Sequence, residues 1–164
     1  MNPLAEPTLL ALKASLKPHG YSKNGSTFRL RSNETVRVIS LQSSTKSTSV
    51  FAKVTVNLGV HVLALQDPER PEKNPSVWSP HWNQRIGHLM PENRDIWWSI
   101  YSAQESVSVA SEIARCVEQY GLPSLAQVAT VKALRQLWES GRSPGLTEVQ
   151  RIRHLQKLAH VVAS

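Results

Sequence analysis

The sequence predicts an α+β fold: an N-terminal helix, an antiparallel sheet of three to four strands, and three C-terminal helices packed on it. Three observations carry this reading. Residues 50–62, VFAKVTVNLGVHV, alternate apolar and polar side chains without a break, the period-two signature of a strand with one buried face. Residues 7–17, PTLLALKASLK, place Leu9, Leu12 and Leu16 at helical spacing behind a proline suited to a first turn. The last third holds three capping-box spacings, Ser102 with Glu105, Ser124 with Gln127, and Thr147 with Gln150, in which side chain and backbone satisfy each other's orphan donors. At 164 residues, 40% hydrophobic and 19% charged, the chain suits one domain with a real core, far from a disordered composition.

Taken in order, the first helix stops at Pro18 and Gly20. Turn residues at Lys23-Asn24-Gly25 lead into a strand with Phe28 and Leu30 on one face and Thr27, Arg29 and Arg31 on the other; Ser32-Asn33-Glu34 then closes a hairpin. In TVRVISLQ, residues 35–42, Val36 and Val38 share one face while Ile39 and Leu41 share the other, as in a central strand covered on both sides. The long strand follows, with Lys53, Thr55, Asn57 and His61 on its polar face, readable as one surface. Residues 66–80 hold four prolines and no periodicity, hence a loop, and long loops in small domains are often functional. HWNQRIGHLMP and RDIWWSIYS read as one turn or helix and one further strand.

Of the three C-terminal helices, the first carries Val107, Ala110, Ala114, Val117 and Tyr120 and ends at Gly121. The second carries Leu125, Val128, Val131, Leu134, Leu137 and Trp138 and ends near Gly141. The third carries Val149, Ile152, Leu155, Leu158, Ala159 and Val162. No apolar run reaches the roughly 20 residues that span a bilayer, and the N-terminus lacks the order of a signal peptide, so a soluble cytoplasmic protein is expected. The single Cys116 sits on an apolar helical stretch, the setting of a buried, inert thiol, and excludes both an internal disulfide and a cysteine-rich zinc site.

The net charge of +7 is unevenly spread: 8 basic and 2 acidic side chains in residues 1–60, 5 and 8 in 61–121, 6 and 2 in 122–164. A basic balance permits nucleic acid, an anionic surface or an acidic protein as partner, and selects none of them. Arg29, Arg31, Arg37 and Lys53 form a candidate basic stripe on the outward face of the sheet, although strands are also edged with basic residues simply to discourage aggregation.

Two constellations are candidates for binding. Asn57 and His61 share a strand face, and an antiparallel neighbour would bring Gln42 beside them, making a polar patch in which His61 acts as a base or the amides hold a ligand beside Gly59. The plain reading is an ordinary hydrogen-bonded strand face. His81, Arg85 and His88 would share one face if their segment were helical. The permanent charge of Arg85 repels a cation and no carboxylate sits at ligand spacing, so no metal or other cofactor is expected. Arg85 reads better as an anion anchor, or as one partner of a salt bridge to Asp95 or Glu92. Trp78, Trp82, Trp97 and Trp98 crowd into 21 residues, a composition shared by interface hot spots and by seams where a loop covers a sheet. Of Trp97 and Trp98, alternation buries one and leaves the other near the surface.

The ordered motifs LKPHGYSKNGSTF, VRVISLQSS, FAKVTVNLGVHV, HWNQRIGHLMP and DIWWSI together resemble the bacterial domain of unknown function four-three-zero-four. The resemblance spans residues 9–120, and its most specific parts are Gln42, Asn57-Leu58-Gly59, Arg85-Ile86-Gly87 and Trp97-Trp98. It implies no catalytic residue, because that family has no established reaction; its members resemble accessory or immunity-type proteins of bacterial toxin or stress systems. Inhibitors of basic nucleases should be acidic, whereas this chain is basic. The helices after residue 122 fall outside the resemblance, as an extension. The expected function is therefore a non-enzymatic binding protein anchoring a protein partner through Arg85, Trp97 and Trp98. A pocket joining Gln42, Asn57, His61, His81 and Arg85 around a small ligand is the alternative, and nucleic-acid binding through the basic flanks is a third.

Overall fold

The computed structural model describes residues 1–163, with side chains as far as Val161. Val162, placed by the sequence on the apolar face of the last helix, has its side chain outside the described residues. The elements run α1 (Glu6–Leu16), β1 (Ser22–Asn24), β2 (Thr27–Arg31), β3 (Thr35–Ser43), β4 (Ala52–Val62), β5 (Trp82–Arg85), α2 (Ile86–Leu89), β6 (Trp98–Ile100), α3 (Ala103–Cys116), α4 (Leu122–Gln127), α5 (Val131–Glu139) and α6 (Glu148–Ala163). The architecture is α+β with an antiparallel sheet, and its six strands exceed the three or four expected.

The long alternating strand sits at the centre. β1, β2 and β3 lie in order on one side of β4, while its other edge is shared by two short strands. β5 pairs with the second half, from Asn57 opposite Arg85 to Val60 opposite Trp82, and β6 pairs with the first, from Ala52 opposite Ile100 to Val54 opposite Trp98. β6 is the further strand expected in RDIWWSIYS, whereas β5 lies in HWNQRIGHLMP, expected as a turn or helix, and is too short for period-two detection.

One face of the sheet carries the core. Phe28, Ile39, Leu41, Val54, Val56, Leu58, Val60 and Val62 meet Leu9, Leu12 and Leu16 of α1, Ile113 and Cys116 of α3, and Val117 just after it. The hydroxyl of Ser106 ties α3 to the N-terminus by donating to Leu4 O at 2.8 Å. Cys116 is buried, as its setting predicts.

The opposite face departs from expectation. Thr55 and His61 are buried rather than part of an open surface, because residues 66–81 and 90–97 fold back across it. Thr55 Oγ1 donates to Ile96 O at 2.8 Å, His61 Nε2 lies 2.6 Å from Ser76 O, and a Cβ on Gly59 would meet Pro80 at 3.1 Å. Val36, Val38 and Val77 form a second small core beneath this cover. Alternation reports which side chains share a face, whereas a return loop of irregular sequence decides whether the second face is wet.

The C-terminal third is helical but divided differently. Ser102 caps α3 by accepting from Glu105 N at 3.1 Å, and Thr147 and Gln150 cap α6 reciprocally, at 2.9 and 3.2 Å. Ser124 caps nothing: it lies inside α4, and the second expected helix breaks at Val128, where Thr130 Oγ1 takes up the N-cap of α5 by accepting from Ala133 N. The break is pinned to the sheet, since Thr35 Oγ1 donates to Ala129 O at 2.6 Å and Val131 N donates to Glu34. Gly121 ends no helix; a π turn over Val117–Gly121 carries α3 into α4, with Leu58 Cδ2 only 3.0 Å from where a Cβ would stand. Val107, Val149 and Ile152 are exposed; Ala110 and Leu158 are buried as expected, and α3 adds Ile113 and Cys116 to the core. No helix among the described residues is long and apolar enough to cross a membrane.

Candidate functional site

The pleat sets out a row of side chains on the loop-covered face. Ser40, Asn57 and Arg85 occupy paired positions of β3, β4 and β5, so their side chains leave the sheet together. Asn57 Nδ2 donates to Gln42 Oε1 at 2.7 Å, which is the neighbour the sequence called for, and Asn57 Oδ1 accepts from Arg85 Nε at 3.2 Å. Arg85 Nη1 then reaches Asp95 Oδ1 at 2.7 Å, and Trp97 Nε1 donates to the other carboxylate oxygen at 3.1 Å. Of the two acids offered for Arg85, Asp95 is the partner. The guanidinium also lies over the Trp97 ring, 5.0 Å from its centroid, with Lys53 Nζ at 5.9 Å. The Arg85 hydrogen bond holds the Asp95 carboxyl below the usual carboxylate range, so it stays ionised at neutral pH.

Beside this row opens a cleft of about 400 Å³ lined by Asn57, Asn83, Gln84, Arg85, His88, Asp95 and Trp78. Trp78 is 72% exposed and stands at its edge, whereas Trp82 and Trp98 are buried. Trp97 is half-buried, so the adjacent pair divides as alternation requires. Trp98 is thus a core residue, its Nε1 tied to Glu112 at 2.9 Å, and not an anchor for a partner. Trp78, which the sequence places only within the tryptophan cluster, is the exposed tryptophan lining this cleft.

His61 and His81 do not join this cleft. His81, Arg85 and His88 share no helical face, because Trp82–Arg85 is a strand and the helix begins only at Ile86. The His81 ring instead packs edge-on between His61, at 5.7 Å, and His154 of α6, at 5.0 Å. Among the described residues no group of three or more His, Cys, Asp or Glu is placed to hold a metal ion.

The basic stripe is also broken up. Arg29 Nε donates to Pro75 O at 2.7 Å and Arg31 Nη2 to Lys73 O at 3.1 Å, so both hold the return loop in place. Arg37 opposes Leu30 and Val60 on the helix-facing side.

The three packed histidines make stability pH-dependent. Val62 N–H donates to His81 Nδ1 at 2.8 Å, a bond that a protonated Nδ1 cannot accept. Burial, with the neighbouring His154, pushes His81 down to about 3, and burial lowers His61 and His154 as well. A histidine depressed in the folded state takes up its proton more readily once unfolded. Its contribution is complete above the unfolded value of about 6.5 and is lost as pH falls through the window toward 3. Thermal melting between about pH 7.5 and about pH 4.5 is expected to show stability falling by up to about 1.4 kcal/mol per pH unit for each such histidine. His81→Asn should flatten the profile, and a melting temperature that stays constant over that range would contradict this account.

Fold and site together define a small α+β protein with helices on one sheet face and a loop-covered polar row on the other, rich in binding groups. The chain belongs to the family described as a domain of unknown function, DUF4304, which it matches over residues 12–127. Comparison with curated proteins and with solved structures gave no match.

Proposed function

We propose that this chain is a non-enzymatic binding protein whose partner is a protein presenting acidic side chains to the Trp78–Arg85–Trp97 face. The observation that carries the reading is Trp78 standing 72% exposed beside a guanidinium that Asn57, Asp95 and Trp97 already hold in place. An exposed tryptophan next to a pre-oriented arginine has the make-up of an interface hot spot, and holding the arginine in advance lowers the entropic cost of docking. Arg85 and Lys53, both set over the Trp97 ring, favour an acidic surface opposite. Such a face would serve an immunity-type or accessory protein of a toxin or stress system, which acts by covering its partner.

The cleft itself favours a second reading, a polar small-molecule site around Asn57 and Arg85. Its lining offers amides, Arg85 and His88, and its one carboxylate, Asp95, is already held by Arg85 and Trp97, which supports binding over catalysis.

The two readings separate by experiment. A partner captured from the source organism and then purified should bind Trp78→Ala about 30-fold more weakly than the parent chain, the usual scale for a hot-spot truncation. Because the Trp78 side chain is largely exposed, the variant should melt with the parent. Equal affinity for the parent, Trp78→Ala and Arg85→Ala would overturn the protein-docking proposal, and saturable filling of the cleft by a polar metabolite would favour the second reading.

A further inference from the structure

A second cavity lies on the helix-facing side of the sheet, remote from the Arg85 row. It has a volume of about 580 Å³ and is bounded by Tyr21, Leu30, Arg37, Glu118, Leu122 and Pro123, with His19 at its edge. Arg37 breaks an otherwise apolar row, since its strand partners are Leu30 and Val60. Its Nε is buried with no hydrogen-bond partner, and among the described residues it makes no ion pair. The hydroxyl of Tyr21, a residue only 8% exposed, is likewise buried and unpartnered. Glu118, the acid in the wall, accepts a hydrogen bond from Ser15 Oγ and leaves Arg37 unneutralised. A guanidinium Nε and a phenol hydroxyl buried together without acceptors carry a desolvation cost that an anion in the cavity would offset.

The wall gives the rest of the ligand. Leu30, Leu122 and Pro123 offer apolar surface in a cavity within the 300–1,000 Å³ typical of small-molecule sites. The carboxylate of Glu118 disfavours a dianion. The π turn Val117–Gly121, which carries Glu118, is a departure from α-helical geometry of the kind often found at functional sites.

We infer that this cavity binds a small monocarboxylate with an apolar body, its carboxylate held by the Arg37 guanidinium and the Tyr21 hydroxyl and its body packed on Leu30, Leu122 and Pro123. Burial raises the Tyr21 phenol to about 12, so it remains a hydrogen-bond donor at neutral pH. This site is independent of the protein-docking face.

The test is an NMR titration of the full chain with benzoate, followed through the Arg37 Nε–H signal and the Tyr21 resonances, with inorganic phosphate and acetate alongside. Benzoate should move both sets saturably and bind more tightly than acetate or phosphate. Arg37→Met should weaken benzoate by about tenfold or more and Tyr21→Phe by about threefold or more, the scale of a lost charged and a lost neutral hydrogen bond. Because Arg37 lacks a partner in the free chain, Arg37→Met should also melt no lower than the parent. Benzoate shifts confined to the Arg85 cleft, phosphate binding as tightly as benzoate, or unchanged affinity in Arg37→Met and Tyr21→Phe would each overturn the assignment. So would a marked loss of stability in Arg37→Met, which would make the guanidinium structural.

Discussion

Gly87→Ala is expected to destabilise the protein by about 3 kcal/mol or more, at or beyond the upper end of the usual overpacking cost. A methyl group at this position would fall inside contact distance of the Arg94 carbonyl oxygen and stand 2.8 Å from Ile96 N and 2.9 Å from Ile96 Cβ. Two of those three atoms are backbone, so rotating a side chain cannot relieve the overlap. The only relief is displacement of residues 94–96, which Arg94 N anchors to Gly87 O at 3.2 Å and Thr55 Oγ1 anchors at Ile96 O. For a chain of this length the loss corresponds to a fall in melting temperature of roughly 6–12 °C. Displacement would also pull Asp95 and Trp97 away from Arg85, so partner binding should weaken together with stability. Circular-dichroism melting decides this; a variant within about 1 kcal/mol of the parent would mean that the 90–97 segment yields freely and that the Arg85 row is less rigid than its geometry implies.

Trp138→Ala is expected to cost about 3–5 kcal/mol, the range for truncating a fully buried tryptophan. Trp138 is 0% exposed, its ring lies 5.6 Å from that of His154, and its carbonyl accepts from Arg151 Nη1 at 2.8 Å. It stands outside the residues matched by the family, yet it belongs to the same buried cluster as Leu58 and Ile39. The indole nitrogen has no hydrogen-bond partner, so Trp138→Phe, which keeps most of the volume and removes that donor, should cost less than about 1.5 kcal/mol. A single cooperative transition lowered by Trp138→Ala and restored by Trp138→Phe would show that α5 and α6 fold with the sheet. If the alanine variant lost less than about 1 kcal/mol, those helices would be an appendage that the core does not need.

The parts of the site legible in the sequence were those that follow from strand geometry. Gln42 meets Asn57 because antiparallel pairing sets Thr55 opposite Gln42 and Ser40 opposite Asn57, within diagonal reach. The division of Trp97 from Trp98, one half-buried and one buried, follows from the pleat alone. His81 and His61 were grouped with the cleft because they carry chemistry, but side-chain type says nothing about which neighbour comes to cover it; His154, 73 positions after His81, supplies that neighbour. Arg37 was assigned to the outward face with Arg29 and Arg31. Odd-numbered positions on neighbouring strands need not share a face, and the β2–β3 register, which sets Leu30 opposite Arg37, turns it inward.

What the sequence determined by itself was local: where the long strand runs and which of its faces is apolar, where α1, α3 and α6 begin, and that Cys116 is buried. Periodicity and capping are short-range properties, written in side chains three or four positions apart, so one sequence suffices to read them. Tertiary structure alone decided that the polar face of β4 is roofed over, that β5 and β6 divide one edge between them, that Thr130 rather than Ser124 starts a helix, and that Arg37 turns to the helix-facing side beside Tyr21. Each of these depends on residues tens of positions apart meeting in one arrangement, as when Thr35 meets Ala129 or Arg29 meets Pro75. Only the packed chain, which must cover its apolar surface and pair its buried polar groups at once, selects that arrangement.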